Sequence, residues 1–210
     1  LEQGMTSLQT LRHLYFFDCE TIPGDVKVEL IRELGKLKQL RDLSFLNVKE
    51  GLGSTLCSSI NEMQNLEKLY IESTEDEVID LSIISSLPML RKLGLSGKLN
   101  KVPEWVPQFQ NLVKWSLICS HFTDDPLKSL QNISHLLFLY MRKNSYDGEN
   151  LYFQDGGFQR LKKLYLKYLY NLNSIIIEKR ALRSLETLQL LKITQLKTVP
   201  AGIHATLRKT

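Results

Sequence analysis

Cysteine is scarce in this sequence, and the few cysteines that occur are far apart. Cys19, Cys57 and Cys119 cannot all pair with one another, because their number is odd. Scattered thiols of this kind favour a reducing, cytosolic setting, and a disulfide scaffold is the less favoured alternative. We therefore expect the three thiols to be reduced.

Long hydrophobic runs and a strong charge imbalance are also lacking. No apolar run approaches the roughly 18 residues that a membrane span needs, and no signal peptide opens the sequence. The formal net charge is only +4, whereas a nucleic-acid binder usually concentrates far more basic charge on one face. We expect neither a membrane span nor nucleic-acid binding.

Metal-binding and catalytic patterns are missing as well. The four histidines show no metal-ligand spacing with cysteine or acidic residues. Cys119, Ser120 and His121 stand together near Asp124, but without the glycine pattern of a nucleophile elbow. The phosphate-loop pattern G-x-x-x-x-G-K-[ST] does not occur, so no ATP site is expected in these residues. We predict that the chain is not an enzyme and has no cofactor of its own.

The sequence does contain a pattern that returns eight times at nearly even intervals. Each copy reads apolar-x-x-L-x-x-(L/W)-x-(L/F/I/M), beginning with Leu8 to Phe16. The third apolar position recurs every 22 to 29 residues. These positions are Leu14, Leu43, Leu69, Leu93, Trp115, Leu139, Leu164 and Leu188. Motif and period are typical of leucine-rich repeats, which stack into a solenoid.

The predicted fold is therefore an α/β leucine-rich-repeat solenoid, a horseshoe of about eight irregular repeats. The last apolar pair of each copy alternates in and out as a short strand, and stacked strands form a parallel sheet on the concave side. We expect Leu43 and Phe45, and likewise Leu14 and Phe16, to point into the core. Residues 1–210 are interpreted as a single domain, a fragment of a longer chain truncated at both ends.

The return segments predict a convex side of mixed structure. Val26 to Leu34 has helical spacing, and Gly35 is expected to be the C-cap that follows the helix. Asp125 is expected to cap a short helix that begins at Pro126. Ser174 to Ile177 is rich in β-branched residues and is predicted to be extended.

Outward positions of the strands define a candidate recognition surface on the concave face. Tyrosines alternate there with lysines, and aromatic side chains offer large contact area at low entropic cost. The candidate protein-binding residues are Tyr15, Tyr70, Tyr140, Tyr165, Lys68, Lys92, Lys114, Lys163, Arg142 and Lys167. The hypothesis is that this face binds an acidic protein surface. The alternative is a solvated face whose lysines only keep the protein in solution.

Several apolar or aromatic residues need a separate interpretation. Trp115 replaces an inward leucine and is expected in the core, whereas Trp105 is expected to pack in a convex turn. Five apolar residues fall at outward positions, where they contact either a neighbouring domain or the loops of adjacent repeats. They are Phe17, Leu46, Ile118, Phe138 and Leu191.

Five short strings of residues indicate which group of leucine-rich-repeat proteins the sequence resembles. They are Ser7–Leu11, Leu34–Leu43, Lys101–Val106 with its P-E-W motif, Ser145–Phe153 with Y-x-G-E-x-L-x-F, and Leu196–Ile203. Together they resemble the C-terminal leucine-rich repeats of plant nucleotide-binding leucine-rich-repeat disease-resistance proteins. The likeness is greatest to the class with an N-terminal coiled coil, and it covers essentially the whole chain.

This resemblance implies a recognition module of an intracellular immune receptor. Its partners would be a pathogen effector or a modified host protein, and the receptor's own nucleotide-binding domain, which the repeats help to hold inactive. ADP or ATP would bind only to that separate domain. A cytoplasmic location follows, with association to membranes or the nucleus left open through the full receptor.

Other interpretations remain at this stage. A constitutive scaffold or adaptor would use the same curved surface, and a ligase adaptor would need an upstream F-box. The string Glu149–Gln154 is identical to the recognition core of a protease used to remove tags, followed by Asp155. Undisturbed repeat spacing across it favours native sequence over an engineered insertion.

Overall fold

An eight-stranded parallel sheet forms one face of the molecule and follows the order of the chain. A computed structural model describes residues 8–74, 77–81, 84–85 and 87–197; the first and last of the five strings lie partly outside them. The strands of the sheet are β1 (His13–Asp18), β2 (Asp42–Val48), β3 (Lys68–Ser73), β4 (Lys92–Ser96), β5 (Lys114–Ile118), β6 (Phe138–Arg142), β8 (Lys163–Lys167) and β10 (Thr187–Leu191). Their order is β1-β2-β3-β4-β5-β6-β8-β10. The predicted leucine-rich-repeat solenoid is confirmed.

A second layer of shorter elements lies on the other side of the core. It contains the helices α1 (Gly24–Gly35), α2 (Gly53–Asn61) and α3 (Leu127–Leu130), and the 3-10 turns Glu50–Leu52 and Val106–Gln108. Strands β7 (Asn150–Phe153) and β9 (Ser174–Ile177) pair in parallel as a separate two-stranded sheet. The mixed convex side is thus confirmed: helices back the first strands, and extended segments back the later ones.

The core is a continuous apolar stack between these two layers. Leu43, Leu93 and Leu164 are buried as predicted, and so is Trp115. Strand register aligns the repeats residue by residue, so that Leu69 lies opposite Leu93 and Ile71 opposite Leu95. Each inward side chain therefore packs on its counterparts in the neighbouring repeats, which is how a solenoid buries apolar surface without one central core.

The first strand departs from the predicted alternation. Leu14 pairs with Leu43, but the next aligned pair is Phe17 with Phe45, because a β-bulge adds one residue between Leu14 and Phe17. The extra residue reverses the facing of the side chains that follow. Phe16 is consequently 71% exposed and Phe17 only 8%. The prediction that Phe16 points inward and Phe17 outward is wrong.

Left-handed backbone marks the end of most strands of the main sheet. The residue two positions after the second inward side chain has a positive φ in six repeats. These residues are Asn47, Gly97, Cys119, Lys143, Tyr168 and Lys192. Five of the six are not glycine, and non-glycine residues rarely adopt this region. The turn is therefore imposed by the stacked repeats and not by local sequence preference.

The predicted helix ends need two corrections. Gly35 is the last residue of α1 and not the residue beyond it, and Lys36 takes the capping position. A side chain at Gly35 would approach the carbonyl oxygen of Ser59 to 3.1 Å, so close packing against α2 accounts for this glycine. At α3 the helix begins at Leu127 and Pro126 takes the capping position, one residue later than predicted. Asp125, just before it, accepts a hydrogen bond from the Leu127 amide at 2.9 Å.

The segment that matches a protease recognition core is built into the convex layer. Asn150–Phe153 forms β7, and Leu151 and Phe153 are fully buried. Glu149 accepts hydrogen bonds through its carbonyl oxygen from the amides of Asn173 and Ser174. The string therefore occupies a regular position in the repeat.

Candidate recognition surface on the open face of the sheet

On each of the central strands, one residue that points to the open face lies between the two inward residues. These middle residues align across the central strands as predicted. Tyr70 lies opposite Gly94, and Tyr140 lies opposite Tyr165. Tyr15 is in β1, two strands away from Tyr70, with its ring stacked on that of His13 at 5.8 Å. The four predicted tyrosines therefore fall into two groups, one on β1 to β3 and one on β6 and β8.

Tyr140 and Tyr165 form a stacked pair with a lysine over each ring. Their ring centroids are 4.4 Å apart and the rings are nearly parallel. The Nζ of Lys114 lies 4.5 Å from the centroid of Tyr140, and that of Lys167 lies 5.5 Å from the centroid of Tyr165. Burial and the neighbouring Tyr165 raise the pKa of Tyr140. We call these four residues, together with Lys92, the tyrosine–lysine cluster.

Two lysines of this cluster are close enough to influence each other. Lys92 and Lys114 are paired residues of β4 and β5. Partial burial, with the positive charge of Lys92 adding to it, lowers the pKa of Lys114. Among the residues that the structure describes, neither lysine has an ion pair with a carboxylate. A carboxylate brought by a partner would relieve this repulsion.

Lys68 differs from the other predicted lysines because its charge is already compensated. Its Nζ donates a hydrogen bond to Asp42 Oδ2 at 2.6 Å, and His13 Nδ1 contacts the same oxygen at 3.0 Å. Burial opposes ionisation of Asp42, but the hydrogen bonds from Lys68 and His13 outweigh it and lower the pKa of this carboxyl. Lys68 therefore has a structural partner within the sheet.

Replacing Asp42 with asparagine is expected to destabilise the fold by about 1–2 kcal/mol at pH 7, because charged hydrogen bonds to Lys68 and His13 are lost. Since the folded pKa of Asp42 lies below its ordinary 3.8, the stabilisation is present above that value and disappears as pH falls through the folded pKa. Urea denaturation across this pH range measures it.

The matched control is Glu67→Gln, which removes a carboxylate paired with Arg41 on the surface. Such exposed pairs contribute at most about 1 kcal/mol. A deficit for Asp42→Asn that stayed constant well below pH 3.8 would contradict the assignment of the stabilisation to the ionised carboxylate.

Tyr70 is held flat over the neighbouring strand. Its hydroxyl donates to Glu72 Oε2 at 2.6 Å, and burial followed by this carboxylate raises the pKa of Tyr70 to about 12. A side chain at Gly94 would come within 2.5 Å of the Tyr70 ring, so only glycine leaves room for it there. Tyr15, Tyr70, Lys92 and Lys114 contribute to a depression of about 330 Å³.

The remaining predicted residues lie at the far end of the sheet. Lys163 Nζ is 5.8 Å from the ring centroid of Phe138. Arg142 pairs with Lys167 across β6 and β8, and within the described residues the Nε of Arg142 has no hydrogen-bond acceptor. The structure therefore gathers Lys92, Lys114, Tyr140, Tyr165 and Lys167 into one surface, with Lys68 and Tyr70 in self-contained pairs.

Residues considered for catalysis or metal binding are engaged elsewhere. Ser120 is fully buried, and its Oγ contacts the carbonyl oxygen of Ile118. His121 pairs with Asp147 at 2.8 Å. No group of three or more histidine, cysteine or acidic residues that could hold a metal ion occurs in the described ranges. Trp105 is buried in the convex layer, donating to the Leu81 carbonyl, as predicted.

Comparison with known proteins decides the family. A family model for a leucine-rich repeat region matches residues 1–206, which is nearly the whole chain. The chain belongs to the leucine-rich repeat family. Repeats of this family generally serve as protein-interaction scaffolds and not as enzymes. No helix within the described part of this leucine-rich repeat chain is both long and apolar enough to cross a membrane.

Relatives of this leucine-rich repeat chain are plant disease resistance proteins, which confirms the predicted resemblance. Disease resistance protein RPM1 of Arabidopsis thaliana is 32% identical over 195 residues, covering 92% of this chain and 20% of the relative. Disease resistance protein RPP8 of the same plant is 26% identical, covering 97% of this chain and 22% of the relative. The chain thus spans about a fifth of the length of these relatives.

Similarity to solved structures is weaker. A leucine-rich repeat protein from Leptospira interrogans aligns over 95% of this chain and 80% of its own length, with a TM-score of 0.22 and 14% identity. A superposition at that level supports no argument about function or curvature.

The sequence of this leucine-rich repeat protein left several features of the surface unrecognised. Neither the role of Asp42 as the shared partner of His13 and Lys68 nor the close approach of Tyr70 to Gly94 was predicted. Both depend on which residues lie opposite each other on adjacent strands. The regular spacing of the repeats, 26 residues from Asp42 to Lys68 and 24 from Tyr70 to Gly94, is the signal that could have revealed them.

Proposed function

We propose that this leucine-rich repeat chain is the recognition module of a plant intracellular immune receptor and that its open face binds an acidic protein surface. The partner is a pathogen effector or a host protein modified by one. The names of the relatives support the biological setting. The observation that carries the proposed contact is the tyrosine–lysine cluster.

The cluster has the composition of an interaction site and lacks internal charge compensation. Stacked Tyr140 and Tyr165 offer a rigid aromatic surface, and aromatic residues are enriched where binding energy concentrates. Lys92, Lys114 and Lys167 surround them without a carboxylate partner among the described residues. An acidic partner would form direct ion pairs with these charges, which favours association and sets orientation.

The same proposal includes autoinhibition. In the full receptor the repeats would contact the nucleotide-binding domain and help to hold it inactive, and ADP or ATP would bind to that domain alone. The chain itself would have neither enzymatic activity nor a cofactor. A cytoplasmic location is proposed, with any membrane or nuclear association arising through the full receptor.

The test uses a full receptor carrying this chain, with the substitutions Lys92→Glu, Lys114→Glu and Tyr140→Ala in the cluster. Truncating one central residue of an interface commonly costs about 2 kcal/mol, which is roughly thirtyfold in Kd. We therefore expect the triple variant to lose co-purification with the nucleotide-binding region, or to lose effector-dependent signalling. Unchanged thermal unfolding of the isolated chain would show that the fold is intact.

The matched control places the same charge reversals at Lys128 and Lys179, two exposed lysines away from the open face. This control should bind and signal normally. A triple variant that keeps both partner binding and signalling would contradict the proposal. Partner binding that is lost without any change in signalling would favour a constitutive scaffold.

A further inference from the structure

A second cavity lies at the carboxyl ends of strands β5, β6 and β8, beside the open face. Its volume is about 440 Å³, and its lining includes Arg142, Lys143, Tyr168, Tyr170 and His121. This volume falls in the range of roughly 300–1,000 Å³ that is usual for small-molecule sites. We call it the edge cleft; of the residues predicted to bind protein, only Arg142 contributes to it.

The edge cleft has positive charge that the described residues do not compensate. Neither Arg142 nor Lys143 has an ion pair among them, and the Nε of Arg142 has no acceptor. The carboxylate of Asp147 is paired with His121, which lines the cleft, at 2.8 Å. Glu72 lines the adjacent depression together with Arg142 and Lys143, without an ion pair to either. An anion that enters the cleft would therefore meet two uncompensated cations.

Two tyrosines give the edge cleft an aromatic wall. The rings of Tyr168 and Tyr170 pack edge to face with centroids 6.4 Å apart, and Tyr170 is exposed. Their hydroxyl groups are hydrogen-bond donors in addition to the two cations. The cleft thus combines an aromatic surface with hydrogen-bond donors suited to oxyanions.

The backbone holds these side chains in fixed positions. The Lys143 amide donates to the Lys167 carbonyl at 3.0 Å, and the Asn144 amide donates to the Tyr168 carbonyl at 2.9 Å. Lys143, Asn144 and Tyr168 all have positive φ, so the turn directs consecutive side chains differently from an extended strand. A ligand would meet a cleft whose main chain is already ordered, which lowers the entropic cost of binding.

We infer that the edge cleft binds a phosphorylated side chain of a partner protein. A phosphate monoester carries a charge of about −1.5 to −2 at pH 7 and three strong acceptor oxygens, which matches Arg142, Lys143 and the tyrosine hydroxyls. A carboxylate carries only a single negative charge and has two acceptor oxygens. The organic part of the side chain would rest on Tyr168 and Tyr170. The inference adopts from the proposed function only that the ligand belongs to a protein.

The test titrates the 210-residue chain with phenyl phosphate, inorganic phosphate and benzoate, followed by calorimetry. Phenyl phosphate is expected to bind most tightly, because it alone supplies both the dianion and a ring. The substitutions Arg142→Gln and Lys143→Gln are each expected to weaken its binding about tenfold, since each removes one charge-assisted contact. Tyr170→Ala is expected to reduce the preference for phenyl phosphate over inorganic phosphate.

The matched control is Lys179→Gln, which removes one exposed lysine charge on the convex side. It should leave phenyl phosphate binding unchanged, and so should Lys92→Gln in the open face, which separates this inference from the proposed function. Absence of saturable binding, equal binding of benzoate, or an unchanged affinity in Lys143→Gln would each overturn the inference. Lys143 is exposed, so Lys143→Gln is expected to leave the fold intact and its effect on affinity can be measured directly.

Discussion

Replacing Trp115 with alanine is expected to lower the free energy of unfolding by about 3–5 kcal/mol. Trp115 is 0% exposed in β5, paired with Leu93 of β4 on one side and Leu139 of β6 on the other. Domains are usually stable by only about 5–15 kcal/mol, so this loss would remove a large share of the total. Urea denaturation followed by circular dichroism measures it without relying on the two tryptophans.

The effect should extend beyond the substituted repeat. In a solenoid each repeat is stabilised by its interfaces with the neighbouring repeats, and Trp115 lies in the middle of the sheet. A cavity there weakens two interfaces at once. Hydrogen exchange is therefore expected to show faster opening of β4 and β6 as well as β5.

Trp115→Phe provides the comparison. The indole N–H of Trp115 has no acceptor among the described residues, and a buried unsatisfied donor costs about 1–3 kcal/mol. Phenylalanine leaves a smaller cavity than alanine and removes this donor, so we expect its stability to lie within about 1 kcal/mol of the original protein. Equal destabilisation by alanine and phenylalanine would contradict the view that lost volume dominates.

The sheet and most of its facing were predictable because the repeat imposes them. From Lys68 onward every strand of the sheet shows the expected register, including the pairing of Tyr140 with Tyr165. Successive side chains of a strand point to opposite faces of the sheet. Two apolar residues separated by one position therefore show which face is buried and which is open. Stacking at a constant period then places equivalent residues side by side, as with Lys92 and Lys114.

Features that depend on tertiary contacts could not be predicted from the repeat in the same way. The edge cleft requires the left-handed turns at Lys143 and Tyr168, and neither residue type favours that conformation by itself. Lys68 forms an ion pair with Asp42. The list of outward residues did not show that Lys68 would pair with this neighbour. The predicted basic face is therefore smaller than its list of lysines suggested.

The second large expected effect is the contrast between two adjacent phenylalanines of β1. Phe17→Ala is expected to cost about 3 kcal/mol or more, because Phe17 packs edge to face on Phe45 with ring centroids 5.6 Å apart. Phe16→Ala is expected to change stability by less than about 0.5 kcal/mol, because Phe16 is largely exposed. Thermal and urea unfolding of the two variants measure the difference.

The two variants serve as controls for each other, because each removes a phenylalanine side chain from the same strand. A regular strand, in which Phe16 continues the alternation from Leu14, would reverse the order of the two effects. The bulge after Leu14 is therefore tested directly. Equal costs would contradict it too, because only one of two neighbouring residues in a strand can face the core. The same bulge leaves Phe16 beside Tyr15 on the exposed part of β1, where it adds apolar area next to the depression that Tyr15 lines.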